Sequence, residues 1–214
     1  MNRRPAAVAF DVNETLFSLD RLARELPDGV LDIWFARVLR DGFALAATGR
    51  FRPFRELAAT HLRSFIDGAE AERVLGLFGV LEPHGDVRPA LERLRDAGVP
   101  AVTLTNGHAE TTRSMLAASG LADLVADCLS VDDAGLWKPR PEPYHHAART
   151  LGVEPGRLGM VAVHSWDVHG AACAGLVTGY CRRLEGRFVE GFTRPDVTGD
   201  TLGGVVEGLL ALPA

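Results

Sequence analysis

The sequence predicts an α/β fold: a Rossmann-like parallel sheet core with helices on both faces and a helical cap inserted after the first strand. Three observations support this prediction. Five short runs rich in apolar and β-branched residues are typical of buried strands. From about residue 86 onward, helical patterns that stop at a glycine separate most of these runs. Before that point the chain shows one strand, then several helical patterns and no clear further strand.

The predicted strands and helices alternate along the second part of the chain. The strands are Ala6–Phe10, Pro100–Thr105, Leu124–Val131, Leu158–Val163 and Leu176–Cys181. The helices are Pro89–Ala97, Glu110–Ser119, Glu142–Leu151 and Asp167–Ala174, which stop at Gly98, Gly120, Gly152 and Gly175. Strands that alternate with helices in this way favour a parallel sheet that is covered on both faces.

The stretch between residues 19 and 82 differs from the rest of the chain. Its helical patterns are Leu31–Ala47, Phe54–Ile66 and Ala69–Phe78, with breaks at Gly49, Pro53 and Gly68. We therefore predict a helical cap domain at residues 19–82 and a core domain made of residues 1–18 and 83–214. A cap in this place can close over the carboxyl edge of the sheet, where open α/β folds bind their ligands.

The composition excludes several classes of protein. Apolar residues make up 47% of the 214 residues and charged residues 24%, as in ordinary globular proteins. The net charge of −5, with scattered arginines, lacks the basic stripe of a nucleic-acid-binding protein. No apolar run approaches the ~18 residues of a membrane span, and the run after the N-terminus is shorter than a secretory signal requires. We expect a cytoplasmic protein that binds neither nucleic acid nor membrane.

Polar clusters follow four of the predicted strands. They are Asp11, Thr105-Asn106-Gly107, Trp137-Lys138-Pro139 and His164-Ser165-Trp166-Asp167. Each cluster alone is compatible with a turn or a helix cap, because Asp, Asn and Gly are common in both. The carboxyl ends of parallel strands, however, share one edge of the sheet, so we expect these side chains to meet in one crevice.

These clusters resemble the four motifs of the haloacid dehalogenase superfamily, in the same order and along nearly the whole chain. The first motif is Asp11-Val12-Asn13-Glu14-Thr15, and the helical insert lies where the superfamily places its cap. Within the superfamily, the chain is most similar to the L-2-haloacid dehalogenases. Tyr144 follows Lys138 by six residues, as in that branch, and Gly170-Ala171 follows the fourth motif.

The resemblance implies a hydrolase that breaks a carbon–halogen bond of a small 2-haloacid-like substrate through an ester intermediate. Asp11 would be the nucleophile, with Thr15 and Lys138 holding its carboxylate. Thr105 and Asn106 would lie near the leaving group or the substrate.

The remaining site candidates have supporting roles. Tyr144 and Asp167 would support Lys138 and the hydrolytic water, while Phe35 and Trp166 could line an apolar pocket, although core packing explains aromatic residues equally well. His164 could orient or deprotonate the water, because its ordinary pKa lies near neutral pH, or it could be a structural histidine. Asn13 would contact the substrate. We expect no cofactor and no metal, and a small molecule as the binding partner.

Two departures from superfamily patterns bear on the activity. Superfamily phosphatases carry an aspartate two residues after the nucleophile, where this chain has Asn13, which cannot give or take a proton. They also place an acidic Mg²⁺ ligand near the position of His164, and Mg²⁺ prefers oxygen ligands. Both changes disfavour the alternative of a Mg²⁺-dependent phosphatase. A non-catalytic binding protein of the same fold is a further alternative, disfavoured by the intact Asp11, Thr15 and Lys138.

A third departure concerns the substrate. The dehalogenase branch uses a cap arginine after a tryptophan to hold the substrate carboxylate, but Phe35 follows Trp34 here. Arg37 or Arg40 could serve instead, or both could be solvated charges. The sequence does not identify the halogen, the chain length or the stereochemistry of the substrate. It is compatible with a monomer and with a homodimer.

Overall fold

A computed structural model describes residues 4–214 and contains one six-stranded sheet. Its strands are β1 Ala7–Phe10, β2 Ala101–Thr105, β3 Asp127–Ser130, β4 Leu158–Ala162, β5 Val177–Cys181 and β6 Val197–Gly199. Every neighbouring pair is parallel, in the order β3-β2-β1-β4-β5-β6. Strand β1 therefore lies inside the sheet, with Val8 opposite Ala101 on one side and Gly159 on the other. The predicted parallel α/β fold is confirmed.

The helices flank the sheet and fill the stretch between β1 and β2. They are α1 Asp20–Ala23, α2 Val30–Ala47, α3 Phe54–Leu62, α4 Gly68–Gly76, α5 Val87–Asp96, α6 Ala109–Ala118, α7 Val131–Ala134, α8 Pro141–Thr150, α9 Ser165–Cys173 and α10 Leu202–Leu210. Short 3-10 helices occupy Leu77–Val80, Ala122–Leu124 and Pro155–Arg157. Between residues 4 and 214, no helix is both long and apolar enough to cross a membrane.

Strand β1 divides the core into two layers because its side chains alternate between the two faces of the sheet. Ala7 and Ala9 belong to an apolar cluster that includes residues of α8 and α9. Val8 and Phe10 belong to a second cluster that includes residues of α5, α6 and α10. Burial on both faces explains why β1 reads as a continuous apolar run rather than as an alternating pattern.

The helices between β1 and α5 pack on the core through an aromatic cluster, which we define as Trp34, Phe35, Phe54, Phe78 and Trp137. The Phe54 ring stacks on the Trp137 ring with centroids 5.9 Å apart. The Trp137 indole N–H donates to the carbonyl of Arg52, 2.8 Å away, across the same junction. The division into a cap domain and a core domain stays a prediction.

Four elements were not predicted from the sequence: α1, α7, β6 and α10. Strand β6 has three residues and none of them is fully buried, so it lacks an apolar run. Helix α10 carries a start signal that could have been used, since the Thr201 hydroxyl accepts a hydrogen bond from the Gly204 N–H at 3.2 Å.

Candidate active site

Asp11 lies directly after β1, at the carboxyl edge of the sheet, and is buried. One carboxylate oxygen, Oδ2, accepts a hydrogen bond from the Thr15 hydroxyl at 2.9 Å. The other, Oδ1, accepts one from Lys138 Nζ at 3.0 Å. The Thr15 hydroxyl is itself held, because its oxygen accepts the backbone N–H of Val163 at the end of β4. The orientation of Asp11 is therefore set from three chain segments.

Lys138 is the only lysine in the 214-residue chain, and its side chain is fully buried. Besides Asp11, its ammonium donates to the Leu104 carbonyl at 2.8 Å and to Asp167 Oδ2 at 2.6 Å. These three acceptors match the three donors of an ammonium group. A buried cation with every donor satisfied is a fixed charge. Lys138 therefore bridges the ends of β1 and β2 through its bonds to Asp11 and Leu104, and it fixes the position of the Asp11 carboxylate.

Asp167, at the start of α9, is held from two sides. Its Oδ2 atom accepts from Lys138, and its Oδ1 atom accepts from the Tyr144 hydroxyl at 2.6 Å. Helix α9 comes close to the Tyr144 side chain at Gly170, where an added Cβ would lie 2.8 Å from the hydroxyl oxygen and 2.5 Å from Pro139 Cβ. The absence of a side chain at position 170 thus permits the Tyr144–Asp167 contact.

Asp11, Lys138 and Asp167 shift one another's pKa values, because both carboxylates lie within hydrogen-bond distance of the Lys138 ammonium. Burial would raise the pKa of Asp11, but the positive charge of Lys138 and the hydrogen bond from His164 lower it well below its usual range. Burial would lower the pKa of Lys138, but Asp11 and Asp167 raise it. Burial raises the pKa of Asp167, an effect that Lys138 opposes. At neutral pH, Asp11 is therefore an ionised carboxylate in a buried site.

His164 is held between two carboxylates. Its Nδ1 atom lies 3.2 Å from Asp11 Oδ2, and its Nε2 atom lies 3.0 Å from Glu14 Oε2. Burial alone would lower the pKa of the imidazole, but the hydrogen bonds to Asp11 and Glu14 raise it to about 10. The ring is therefore protonated at neutral pH and donates from both nitrogens. A protonated imidazole cannot accept a proton from water.

The loop after β2 presents an unpaired donor. Asn106 is buried, and its side-chain oxygen accepts the backbone N–H of Lys138 at 3.0 Å. Its amide nitrogen has no hydrogen-bond partner among residues 4–214. A buried donor without a partner is destabilising, so this amide is suited to a ligand that can accept a hydrogen bond. Thr105, one residue earlier, accepts the Gly107 N–H through its hydroxyl oxygen.

A cleft of about 360 Å³ opens beside these strand ends. On the core side it is lined by Val12 and Asn13, which follow Asp11, and by Thr105 and Gly107 after β2. On the opposite side it is lined by residues of α3, α4 and the 3-10 helix Leu77–Val80. The cleft therefore lies between the helical insertion and the sheet edge, as ligand sites do in open α/β folds.

Two of the predicted pocket aromatics lie in different surroundings. Trp166 stacks against His164 with ring centroids 5.5 Å apart and contacts Phe43 of α2 at 4.9 Å, so it joins the site to the helical insertion. Phe35 is buried in the aromatic cluster, 6.2 Å from the Phe54 ring and 6.3 Å from the Trp34 ring. The structure therefore places Trp166 beside the charged group and Phe35 in the packing of the insertion.

Neither arginine suggested by the sequence lies in the cleft wall. The Arg37 guanidinium lies over the Phe65 ring, 4.9 Å from its centroid. Arg40 is exposed and pairs with the neighbouring Asp41 at 2.6 Å. Arg55, on α3, does line the cleft.

Two further residues of the site, Arg55 and Glu14, were not predicted from the sequence. Arg55 gives no sequence signal that separates it from the other 21 arginines. Glu14 lies within the first motif and has a φ of +62°, a conformation that side-chain-bearing residues rarely adopt. Such backbone outliers are frequent at functional sites. The position of Glu14 within the first motif is a sequence signal that could have singled it out. Its unusual φ is visible only in the structure.

Comparison with known proteins is consistent with this geometry. The profile of the haloacid dehalogenase-like hydrolases matches residues 5–175. The chain belongs to this family. It is 35% identical over 107 residues to (S)-2-haloacid dehalogenase 4A of Burkholderia cepacia, a match that covers 50% of this chain and 46% of that protein. It is 28% identical over 214 residues to haloacetate dehalogenase H-2 of Moraxella sp. (strain B), covering 94% and 96% of the two chains.

The fold is shared with a solved dehalogenase. The structure of L-2-haloacid dehalogenase from Xanthobacter autotrophicus, with chloropropionic acid covalently bound, superimposes with a TM-score of 0.85. The two chains are 22% identical, and the match covers 95% of this chain and 97% of that one. The resemblance inferred from the four motifs, to the haloacid dehalogenase superfamily and its L-2-haloacid dehalogenase branch, is confirmed.

Proposed function

We propose that this hydrolase breaks the carbon–halogen bond of a small 2-haloacid, with Asp11 as the nucleophile and without a metal ion. The observation that carries the proposal is the ionised Asp11 carboxylate, buried against Lys138 and Thr15 and followed directly by Val12 and Asn13, which line the cleft. The names of the two curated relatives, both dehalogenases of haloacids, support the substrate class.

In the first step, an Asp11 carboxylate oxygen attacks the carbon that bears the halogen. A carbon–oxygen bond forms, the carbon–halogen bond breaks, and the halide leaves with the bonding electrons. The buried carboxylate is suited to this attack because Lys138 and Thr15 keep it ionised and oriented without bulk water. The unpartnered amide of Asn106 supplies a donor for the halide.

In the second step, water attacks the carbonyl carbon of the Asp11 ester. The ester bond to the substrate breaks, the 2-hydroxy acid leaves, and Asp11 is regenerated as a carboxylate. The water loses both of its protons in this step: one passes to the leaving alkoxide, which becomes the hydroxyl of the product, and the other passes to a base. Asp167 is the better base for this second proton, because burial raises its pKa, whereas His164 already carries a proton on each ring nitrogen. His164 and Lys138 act as fixed positive charges beside the ester.

The residues around Asp11 do not fit Mg²⁺. Asp11 Oδ2, which would be a metal ligand, already accepts hydrogen bonds from Thr15 and His164. The protonated His164 ring would also repel a second cation at this position. With Asn13 in place of an acid, no side chain two residues after the nucleophile can protonate a phosphate leaving group. We therefore place metal-free dehalogenation ahead of phosphatase activity.

Halide release from a panel of 2-chloro-, 2-bromo- and 2-fluoro-acids, measured with and without a chelator, tests this function. We expect release from at least one acid of the panel, with rates that the chelator leaves unchanged. Parallel assays use phosphate monoesters with added Mg²⁺. Turnover of phosphate esters with no halide release from any acid would contradict the proposal.

We further propose that Arg55 binds the substrate carboxylate in place of the arginine that Phe35 replaces. Arg55 lines the cleft and pairs with Glu72 at 2.8 Å, and Arg63 pairs with the other oxygen of Glu72 at 3.2 Å. Glu72 therefore keeps a cationic partner when Arg55 turns towards a ligand.

Arg55→Met is expected to raise KM for a 2-haloacid by about 10- to 100-fold with a much smaller change in kcat, the effect of losing a charge-assisted hydrogen bond. Steady-state kinetics measure both constants. Arg37→Met and Arg40→Met are the matched controls, because neither side chain lies in the cleft wall. An unchanged KM in Arg55→Met, with a raised KM in either control, would show that Arg37 or Arg40 binds the substrate carboxylate and that Arg55 does not.

His164 gives the protein a distinctive pH dependence. Its pKa rises from the ordinary 6.5 to about 10 in the folded protein, so its contribution to stability is complete below pH 6.5 and is lost as pH rises towards 10. We expect His164→Asn to lower Tm by about 5–10 °C at pH 6, with a difference from the wild type that shrinks above pH 7.

Melting curves between pH 6 and pH 10 check this expectation, with His146→Asn on α8 as the control. Histidine NMR provides a second readout. A His164 signal that titrates near pH 6.5, together with a Tm difference that does not vary with pH, would contradict the imidazolium assignment.

A further inference from the structure

The cleft is larger than a short haloacid requires. Its volume of about 360 Å³ lies within the range of roughly 300–1,000 Å³ that accommodates drug-sized ligands, whereas haloacids of two or three carbons are far smaller. The cleft also extends away from the nucleophile. From Val12 and Asn13 it runs between the 3-10 helix Leu77–Val80 and helix α6.

The walls of this extension are apolar on the side of the helical insertion, whereas on the α6 side Met115 lies among polar residues that include Glu110 and Ser114. Phe54, Leu75 and Phe78 line it from the helical insertion, and Met115 lines it from α6. Each of these four side chains is more than nine-tenths buried, so each is held in place by packing while part of it faces the cleft. Hydrophobic walls of this kind stabilise an alkyl group in proportion to the area that it buries.

We propose that this extension, which we call the tail channel, binds the alkyl tail of a 2-haloacid that is longer than 2-halopropionic acid. The assignment rests on the proposed function, which places the halogen-bearing carbon at the end lined by Val12 and Asn13, the residues that follow Asp11. The tail then points from Val12 towards Met115 and packs against Phe54, Leu75 and Phe78 on the side of the insertion. Substrates without a tail leave the channel to water and lose that contribution to binding.

The tail channel has room that a side chain can fill. Gly76 and Gly79 line it, and an added Cβ at either position meets no atom within 4 Å. A larger residue there can therefore reduce the channel without forcing the backbone to move. Gly68, at the start of α4, also has free space around an added Cβ and is not part of the cleft wall, so it provides a matched control.

The experiment compares kcat/KM for racemic 2-bromopropionic, 2-bromobutyric, 2-bromohexanoic and 2-bromooctanoic acids. From the propionic to the hexanoic acid, each added methylene is expected to raise kcat/KM by about fourfold, because it is buried in the channel. In Gly79→Leu or Gly76→Leu, the ratio of hexanoic to propionic turnover should fall by about tenfold or more. In Gly68→Leu the ratio should stay at its wild-type value. Melting temperatures establish that each variant is folded.

Binding of acids without a halogen separates the tail channel from the chemistry. Calorimetry with octanoic and propionic acids should give a lower Kd for octanoic acid in the wild type, and a smaller difference in Gly79→Leu. Fastest turnover of 2-bromopropionic acid, with no preference for octanoic acid in binding, would overturn the tail channel and leave the dehalogenase proposal standing. Tail-dependent binding without halide release from any acid would overturn the dehalogenase proposal alone.

Discussion

Asp11→Asn is expected to release no measurable halide from any 2-haloacid, a loss on the order of 10⁵-fold in kcat or more. An amide oxygen is a poor nucleophile, and the variant cannot form the ester on which the second step depends. The change is nearly isosteric, so Thr15 can still donate to the side-chain oxygen. The loss is therefore attributable to chemistry. Halide assays at high enzyme concentration measure the residual rate.

The control for this variant is Asp96→Asn, which removes a carboxylate that is 67% exposed at the end of α5. Its kcat should equal that of the wild type. Circular dichroism and melting curves establish that Asp11→Asn folds. Retention of more than about a tenth of wild-type kcat by folded Asp11→Asn would contradict the role of the Asp11 carboxylate as the nucleophile.

Lys138→Met is expected to lose both activity and stability. Without the ammonium, burial raises the pKa of Asp11, so the carboxylate is protonated in a larger fraction of molecules and kcat falls by a factor on the order of 10³ or more. Removal of one partner from a buried ion pair also lowers the free energy of unfolding by about 3–5 kcal/mol. Urea unfolding measures this loss.

The stability loss in Lys138→Met should depend on pH. At pH 8, Asp11 and Asp167 are left as buried charges without their cation, whereas at pH 5 protonation of either carboxylate relieves the penalty. The difference from the wild type should therefore be larger at pH 8. Arg40→Met, which breaks an exposed pair, should change stability by no more than about 0.5 kcal/mol. A Lys138→Met protein as stable and active as that control would refute the role given to the ammonium.

Because Lys138 is the sole lysine, its charge can be observed directly. Protein labelled with ¹⁵N-lysine should give a single Nζ signal in NMR spectra. Since Asp11 and Asp167 raise the pKa of this group, the signal should stay that of an ammonium above pH 10. Deprotonation near neutral pH would contradict the ion-pair network that surrounds Asp11.

The sheet and most of its helices were predictable because their sequence signals are local. Burial on both faces gives β1 and β4 continuous apolar runs, and glycines such as Gly98 mark helix ends. The meeting of Asp11 with Lys138 was predictable from topology, since both follow parallel strands. The superfamily pattern supported the same grouping. These expectations needed the order of elements and no side-chain coordinates.

The remaining features depend on contacts that no local pattern encodes. His164 is protonated because the Glu14 carboxylate lies next to its Nε2 atom, a position that depends on the left-handed backbone of Glu14. Arg55 differs from Arg37 only in which surface of the insertion it occupies. Such placements follow from packing angles between helices, which sequence periodicity leaves undetermined.

A single-turnover reaction in H₂¹⁸O tests the central claim, that Asp11 forms an ester with the substrate, most directly. With enzyme in excess over a reactive 2-haloacid, mass spectrometry locates the heavy oxygen in the proteolytic peptide that contains Asp11 or in the 2-hydroxy acid. Attack of water on the ester carbonyl predicts label on Asp11 and an unlabelled hydroxyl in the product. Label in the product hydroxyl, with Asp11 unlabelled, would contradict the account.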